Sequence, residues 1–165
     1  MIRFGALGAM ATCLVVAGLQ APIPLAPVCR VDPQHVETAR GNAGCLLVTG
    51  ERLLVIRHRA GGKLGIPGGH AEGTESAQCT AHREMWEETG LDVTVGTLVR
   101  VFDNGFRLYV CEADGTSTEP MPVPPQGIAE VTHIEWRSSA ELVEADWRFP
   151  RYLGEMKTVI RELVR

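Results

Sequence analysis

Three glutamates place the strongest condition on how this chain can fold. Residues 75–89 follow a Gly-rich loop and stop at Gly90, a residue suited to a left-handed cap, so the sequence predicts a helix there with Thr74 or Ser76 as its N-cap. At about 100° per residue, Glu84, Glu87 and Glu88 fall at i, i+3 and i+4 and project to one side. Like charges crowded in this way raise one another's pKa and weaken the helix unless a cation offsets them. A hard divalent ion with a preference for oxygen ligands does so, and Mg²⁺ is the natural candidate, with Mn²⁺ as the alternative. Ala77, Thr80 and Ala81 share the face of Glu84 and Glu88, so small side chains would let the helix approach a sheet and leave the acids at the rim of a cleft. Cys79 lies about 140° from Glu84 and about 180° from Glu88, too far round the helix to join the same ion.

The surrounding pattern alternates strands with helices. Residues 45–49 and 52–57 read as a hairpin closed by Thr49-Gly50-Glu51. A Gly-rich loop leads into the acidic helix. The β-rich run LDVTVGTLVRVF, the turn Asp103-Asn104-Gly105 and FRLYVCEA form a second hairpin, and EVTHIEWRS adds a further strand after a Pro-rich loop. A short helix is expected from Ser139, then a closing amphipathic helix with Leu153, Met156, Ile160 and Leu163 on one side. The fold class is α/β with a mixed sheet, and 45% hydrophobic residues suffice for one core.

A formal net charge of −4 excludes a general basic surface for a nucleic-acid polymer, although local cations could hold a small phosphorylated ligand. The first 21 residues place Arg3 before an uncharged apolar run ending in small residues, the layout of a secretory signal peptide; uncleaved, the run would be a membrane anchor and the source of any membrane association. The chain is therefore expected to be exported to a periplasmic or extracellular location, with residues 22–41 as an N-terminal extension and 42–165 as the domain. Four cysteines remain after the leader, Cys29, Cys45, Cys79 and Cys111, and permit three pairings. With Cys79 facing away from the acids and Cys111 ending a strand, Cys79–Cys111 with Cys29–Cys45 is the expected set.

The loop and helix together carry a longer signature. Gly69, Glu75, Arg83, Glu84, Glu87, Glu88 and Gly90 match G-x5-E-x7-R-E-U-x-E-E-x-G-U, with Met85 and Leu91 in the apolar U positions. Chance agreement at seven fixed letters is below roughly one in ten million per starting position, which removes an ordinary solvated acidic face as the explanation. The pattern is the Nudix box, and the chain resembles the Nudix hydrolase family. The resemblance implies an α/β/α sandwich from about residue 42 onward and hydrolysis of a diphosphate linkage in a small nucleoside diphosphate-linked or related pyrophosphate molecule. It also implies that Glu84, Glu87 and Glu88, with the Gly68 carbonyl, hold Mg²⁺, while Glu75 and Arg83 brace loop and helix. A further carboxylate is expected shortly before the Trp136 strand; Glu130 is preferred over Glu135.

In that reading one glutamate, with Glu84 the candidate, takes a proton as water attacks phosphorus. Arg57, His58, Arg59 and Lys63 flank the loop and are candidates for phosphate contact. Leu64, Gly65 and Ile66 stand where the family often has an aromatic residue before Pro-Gly-Gly, and Phe102, Phe106, Tyr109 and Trp136 read as core rather than as a base clamp. The second reading is a nucleotide-binding module of the same fold that does not cleave its ligand, and intact acids weigh against it.

Overall fold

The computed structural model describes residues 24–115 and 121–164. The proposed leader therefore lies outside the described residues, and among the described ones no helix is long and apolar enough to cross a membrane. Strand β1 (Ala43–Thr49) turns at Gly50 into β2 (Arg52–His58); short strands β3 (Leu64–Gly65) and β4 (Gly68–Gly69) follow within the Gly-rich loop. Next come helix α1 (Ala77–Thr89), β5 (Thr94–Val101), β6 (Arg107–Glu112), β7 (Val131–Ser138) and helix α2 (Pro150–Leu163). Single 3₁₀ turns at Pro125–Gly127 and Glu144–Asp146 precede β7 and α2. The sheet order is β3-β2-β1-β6-β5, with β4 on β1 and β7 on β2. Only β1 and β6 run parallel, so the sheet is mixed.

Strand alternation divides the core between the two faces. Cys45 and Leu47 of β1 and Leu54 and Ile56 of β2 pack with Ala77, Ala81 and Met85 of α1. Their neighbours Leu46, Leu53 and Val55 turn to the other face and meet Leu153, Met156 and Ile160 of α2. A period of two on central strands thus buries both faces and produces a helix–sheet–helix sandwich. Leu163 departs from the expected apolar stripe: it is 40% exposed at the frayed end of α2. The short helix expected from Ser139 is also displaced, because residues 139–141 form a turn in which Glu141 accepts from the Ser138 N–H at 2.7 Å; the helical turn comes later, at Glu144–Asp146.

Residues before β1 are tied to the domain. Val31 bridges Val95, and the Asp32 N–H donates to the Val95 carbonyl at 2.9 Å. The Gln78 side chain accepts from the Glu37 N–H and donates to the His35 carbonyl. Glu37 in turn accepts a hydrogen bond from the hydroxyl of buried Tyr109.

The cysteine pairing differs from the expected one. Cys29 joins Cys79, and Cys45 joins Cys111, with Cα separations of 5.4 and 5.5 Å. The face of α1 opposite the acids does not meet the sheet; it meets the extension, so Cys79 reaches Cys29 and not Cys111. Cys111 instead lies diagonally across the parallel β1–β6 ladder from Cys45, whose direct partner is Tyr109. Peptide mapping without reduction is expected to recover these two bridges, and Cys29→Ser should destabilise the domain by about 2–4 kcal/mol in urea titration, since the bridge closes a long loop. Recovery of a Cys79–Cys111 peptide would overturn the assignment.

Candidate active site

Helix α1 begins at Ser76, whose hydroxyl accepts from the Cys79 N–H, and ends at Gly90 with φ 77°, whose N–H donates to the Trp86 carbonyl. Both ends are thereby satisfied, and the helix presents Ala77, Thr80, Ala81, Glu84 and Glu88 as a buried strip. Burying two carboxylates requires that the adjoining loop come close and supply hydrogen bonds. It does both. The Gly68 N–H donates to Glu88 Oε2 at 2.8 Å. At Gly69 a Cβ would stand 2.4 Å from Glu84 Oε1, so a residue with a side chain would displace the acid.

Arg83 is the hub. Its guanidinium donates to Glu75 at 2.9 and 3.3 Å, to Glu84 at 3.0 Å, to Glu87 at 2.8 Å and to the His70 carbonyl at 2.7 Å. Glu75 also accepts from the Glu72 N–H and the Thr80 hydroxyl. Burial alone would raise Glu75, but Arg83 and these donors outweigh it and hold its carboxyl below the usual range. Glu84 behaves differently: burial, assisted by Glu87 and Glu130, overcomes its share of Arg83 and pushes it up to about 7. Glu88 is pushed well above the ordinary carboxylate value by burial, with Glu84 and Glu130 adding to the effect against the Gly68 N–H and Arg148. One guanidinium shared among three acids thus helps to outweigh burial at Glu75 but does not outweigh it at Glu84.

Glu130 arrives from the other side. The 3₁₀ turn before it packs on the C-terminal end of α1 at Gly127, where a Cβ would stand 2.7 Å from the Glu87 carbonyl oxygen. The Gln126 side chain donates to the Trp86 carbonyl, and the Arg59 N–H holds the Glu130 carbonyl at 2.6 Å. Glu84, Glu87 and Glu130 then line a cavity of about 540 Å³ together with Gly68, Gly69 and Arg83. Glu135 points elsewhere, to Arg57 and Arg137.

The other cations singled out in the sequence are not brought to this cavity. Arg57 pairs with Asp146 at 3.0 Å and Glu135 at 3.4 Å; Arg59 donates to the Ile128 and Val131 carbonyls; Lys63 donates to the Ala145 carbonyl. They clamp the segments around β7 to the β2–β3 hairpin. The far wall comes instead from residues the sequence reading left out or assigned to the core: Asn42, Asn104, Phe102, Phe106 and, from the start of α2, Trp147, Arg148, Phe149, Tyr152 and Met156. Phe102 packs against Tyr152 at a centroid distance of 4.8 Å. Tyr109 and Trp136 are core, as expected. The concentration of aromatic residues immediately before a helix, Trp147-Arg148-Phe149-Pro150, was the signal available for this wall.

Among the described residues, no three His, Cys, Asp or Glu side chains stand as a ready metal-binding group. Arg83 draws Glu84 and Glu87 to itself, and Glu88 turns onto the Gly68 N–H. The donor set still suits a hard divalent cation: it is all oxygen, two of its acids are buried, and its acids outnumber the cations among them.

The comparisons agree with this architecture. The NUDIX domain family matches residues 38–156, and the chain belongs to that family. A MutT-like protein of Streptomyces ambofaciens is 32% identical over 113 residues, covering 68% of this chain and 65% of its own length. This chain thus spans just under two thirds of that relative. Among solved structures, an ADP-ribose pyrophosphatase from Streptococcus suis superposes with a TM-score of 0.60 at 18% identity, covering 75% of this chain and 90% of that one. A NUDIX hydrolase from Nitrosomonas europaea gives 0.62 at 18% identity, covering 80% and 78%. These likenesses carry the fold.

At the cavity's edge, buried His58 is pushed down to about 4, first by burial and then by Arg148. Its folded value lies below the unfolded 6.5, so the unfolded chain binds more protons in between, and the stability contributed by neutral His58 is complete above about pH 6.5 and is lost as pH falls toward 4. Chemical denaturation should show a loss of about 2 kcal/mol by pH 5 relative to His58→Asn. Parallel pH profiles for the two proteins would remove His58 as the cause.

Proposed function

We propose that this chain is a metal-dependent pyrophosphohydrolase that cleaves the diphosphate linkage of a nucleoside diphosphate-linked or related small molecule. The observation that carries the reading is the convergence of Glu84, Glu87 and Glu130 on one cavity whose opposite wall is aromatic, with Glu88 buried within electrostatic reach of Glu84 and Glu130. Acids on one side suit a cation and its phosphate ligand; rings on the other suit a nucleoside. The names of the relatives, a MutT-like protein and an ADP-ribose pyrophosphatase, support the same reaction class.

Glu84, Glu87, Glu88 and Glu130, with the Gly68 carbonyl, would hold Mg²⁺, or Mn²⁺ in its place. When bound, such an ion polarises phosphoryl oxygens and makes water more acidic. Glu84 takes the proton as a water oxygen bonds to phosphorus and the bridging P–O bond breaks, the role its place in the cavity beside Arg83 suits. Glu75 keeps Arg83 in place, and Arg83 keeps Glu84 and Glu87 from turning to solvent.

The two disulfides are compatible with an oxidising compartment, which fits export of the domain after residues 1–21 direct it there.

A substrate panel of ADP-ribose, nucleoside triphosphates, nucleotide sugars and prenyl diphosphates, with phosphatase-coupled phosphate detection, tests the reading. Turnover of at least one substrate should require Mg²⁺ or Mn²⁺ and vanish with EDTA. Glu84→Gln should lower it by at least about a hundredfold while the unfolding midpoint is retained. Metal-dependent binding of a nucleotide with no turnover across the panel would instead identify a non-cleaving module.

A further inference from the structure

Two arginines line the cavity, and they are held very differently. Arg83 is taken up by Glu75, Glu84 and Glu87. Arg148 has no carboxylate within ion-pair distance among the described residues; its guanidinium meets only the His58 ring, at 3.1 Å from Nδ1 and 3.3 Å from Nε2, and the Phe149 ring at 5.2 Å. Its backbone is fixed independently. The Arg148 N–H donates to the Leu64 carbonyl at 2.8 Å, and Trp147 beside it is buried and bridges Leu64.

A guanidinium only donates, so of the two ring nitrogens beside it only the unprotonated one accepts. His58 lies on β2 with its ring over Gly65, where a Cβ would stand 2.7 Å from Nε2; the glycine leaves the space that the imidazole fills. The ring therefore holds Arg148 without neutralising it. A cation in an acid-lined cavity would be expected to pair with an acid. Here its chain position keeps it from doing so, although its field reaches Glu88. A charged, planar fork of donors on the wall of a cavity matches the oxygens of a phosphate, which accept two parallel hydrogen bonds.

We propose that Arg148 binds the non-bridging oxygens of the substrate diphosphate and that His58 is its positioning residue. The proposal rests on the pyrophosphohydrolase reading and assigns the cationic half of that site, which Arg57, Arg59 and Lys63 do not supply.

Methylenediphosphonate, a diphosphate whose P–C–P link water does not cleave, serves as the probe, used as an inhibitor of the best panel substrate in excess Mg²⁺. In Arg148→Ala the inhibition constant and KM should rise about 30-fold, the loss expected of a charge-assisted hydrogen-bonded pair, with kcat within a few-fold. Arg148→Lys should recover part of the loss, because it keeps the charge but not the fork. His58→Asn should raise KM less than Arg148→Ala and leave kcat in place. Arg148→Gln replaces Arg148→Ala if the latter does not fold. An unchanged inhibition constant and KM in folded Arg148→Ala or Arg148→Gln, or wild-type enzyme that turns over substrate but is not inhibited by the probe, would overturn the proposal alone. Absence of turnover on the whole panel would overturn it together with the reaction it rests on.

Discussion

The ion-pair cluster around Arg83 is the interaction on which the site depends. It joins the Gly-rich loop, through Glu75 and the His70 carbonyl, to the acid-bearing side of α1, through Glu84 and Glu87. Without it the loop would lose its ion pairs to the helix, and Glu87 would be free to rotate into water. A partly buried network of this kind contributes less to net stability than its hydrogen bonds suggest, because desolvation offsets much of the attraction. Its effect is geometric. It holds several carboxylates closer together than they would stand if left to themselves; the raised values of Glu84 and Glu88 follow first from burial and then from the neighbouring acids.

Backbone approach makes the enforcement feasible. Gly69 allows the loop to lie on Glu84, and Gly127 allows the turn before Glu130 to lie on the end of α1. The two contacts bring acids from separate segments to one cavity, one below the helix and one beside it. The sandwich supplies the rigid support: β1 and β2 bury both faces, so neither helix can shift without repacking half of the core. The two bridges extend this support, one across the β1–β6 ladder and one from α1 to the residues before β1.

The cavity has two chemical sides that arise from different parts of the chain. The acidic side is local, drawn mainly from the loop and α1. The aromatic and cationic side comes from the β5–β6 turn and the start of α2. Only the fold unites them: α2 packs on the face of the sheet opposite α1, and the segment leading into it anchors Trp147 in the core and leaves Arg148 and Phe149 at the cavity.

The sequence by itself determined the acidic half. The spacing of Glu84, Glu87 and Glu88 is a property of one helix, and its left-handed cap at Gly90 is local chemistry, whereas the choice of Ser76 over Thr74 as N-cap came with the fold; the alternation of strand and helix patterns marked the α/β class, and the resemblance to the Nudix family implied helices on both faces of the sheet. Tertiary structure decided the rest. Whether Arg57, Arg59, Lys63 or Arg148 reaches the cavity depends on which acids and carbonyls lie nearby after folding, and each of the first three has a partner 69 or more positions away along the chain. Cysteine pairing was decided in the same way. The helical wheel correctly turned Cys79 from the acids, but what faces that side, and which strand lies beside β1, are matters of packing between segments, where a residue's neighbours are set by the fold and not by its local spacing.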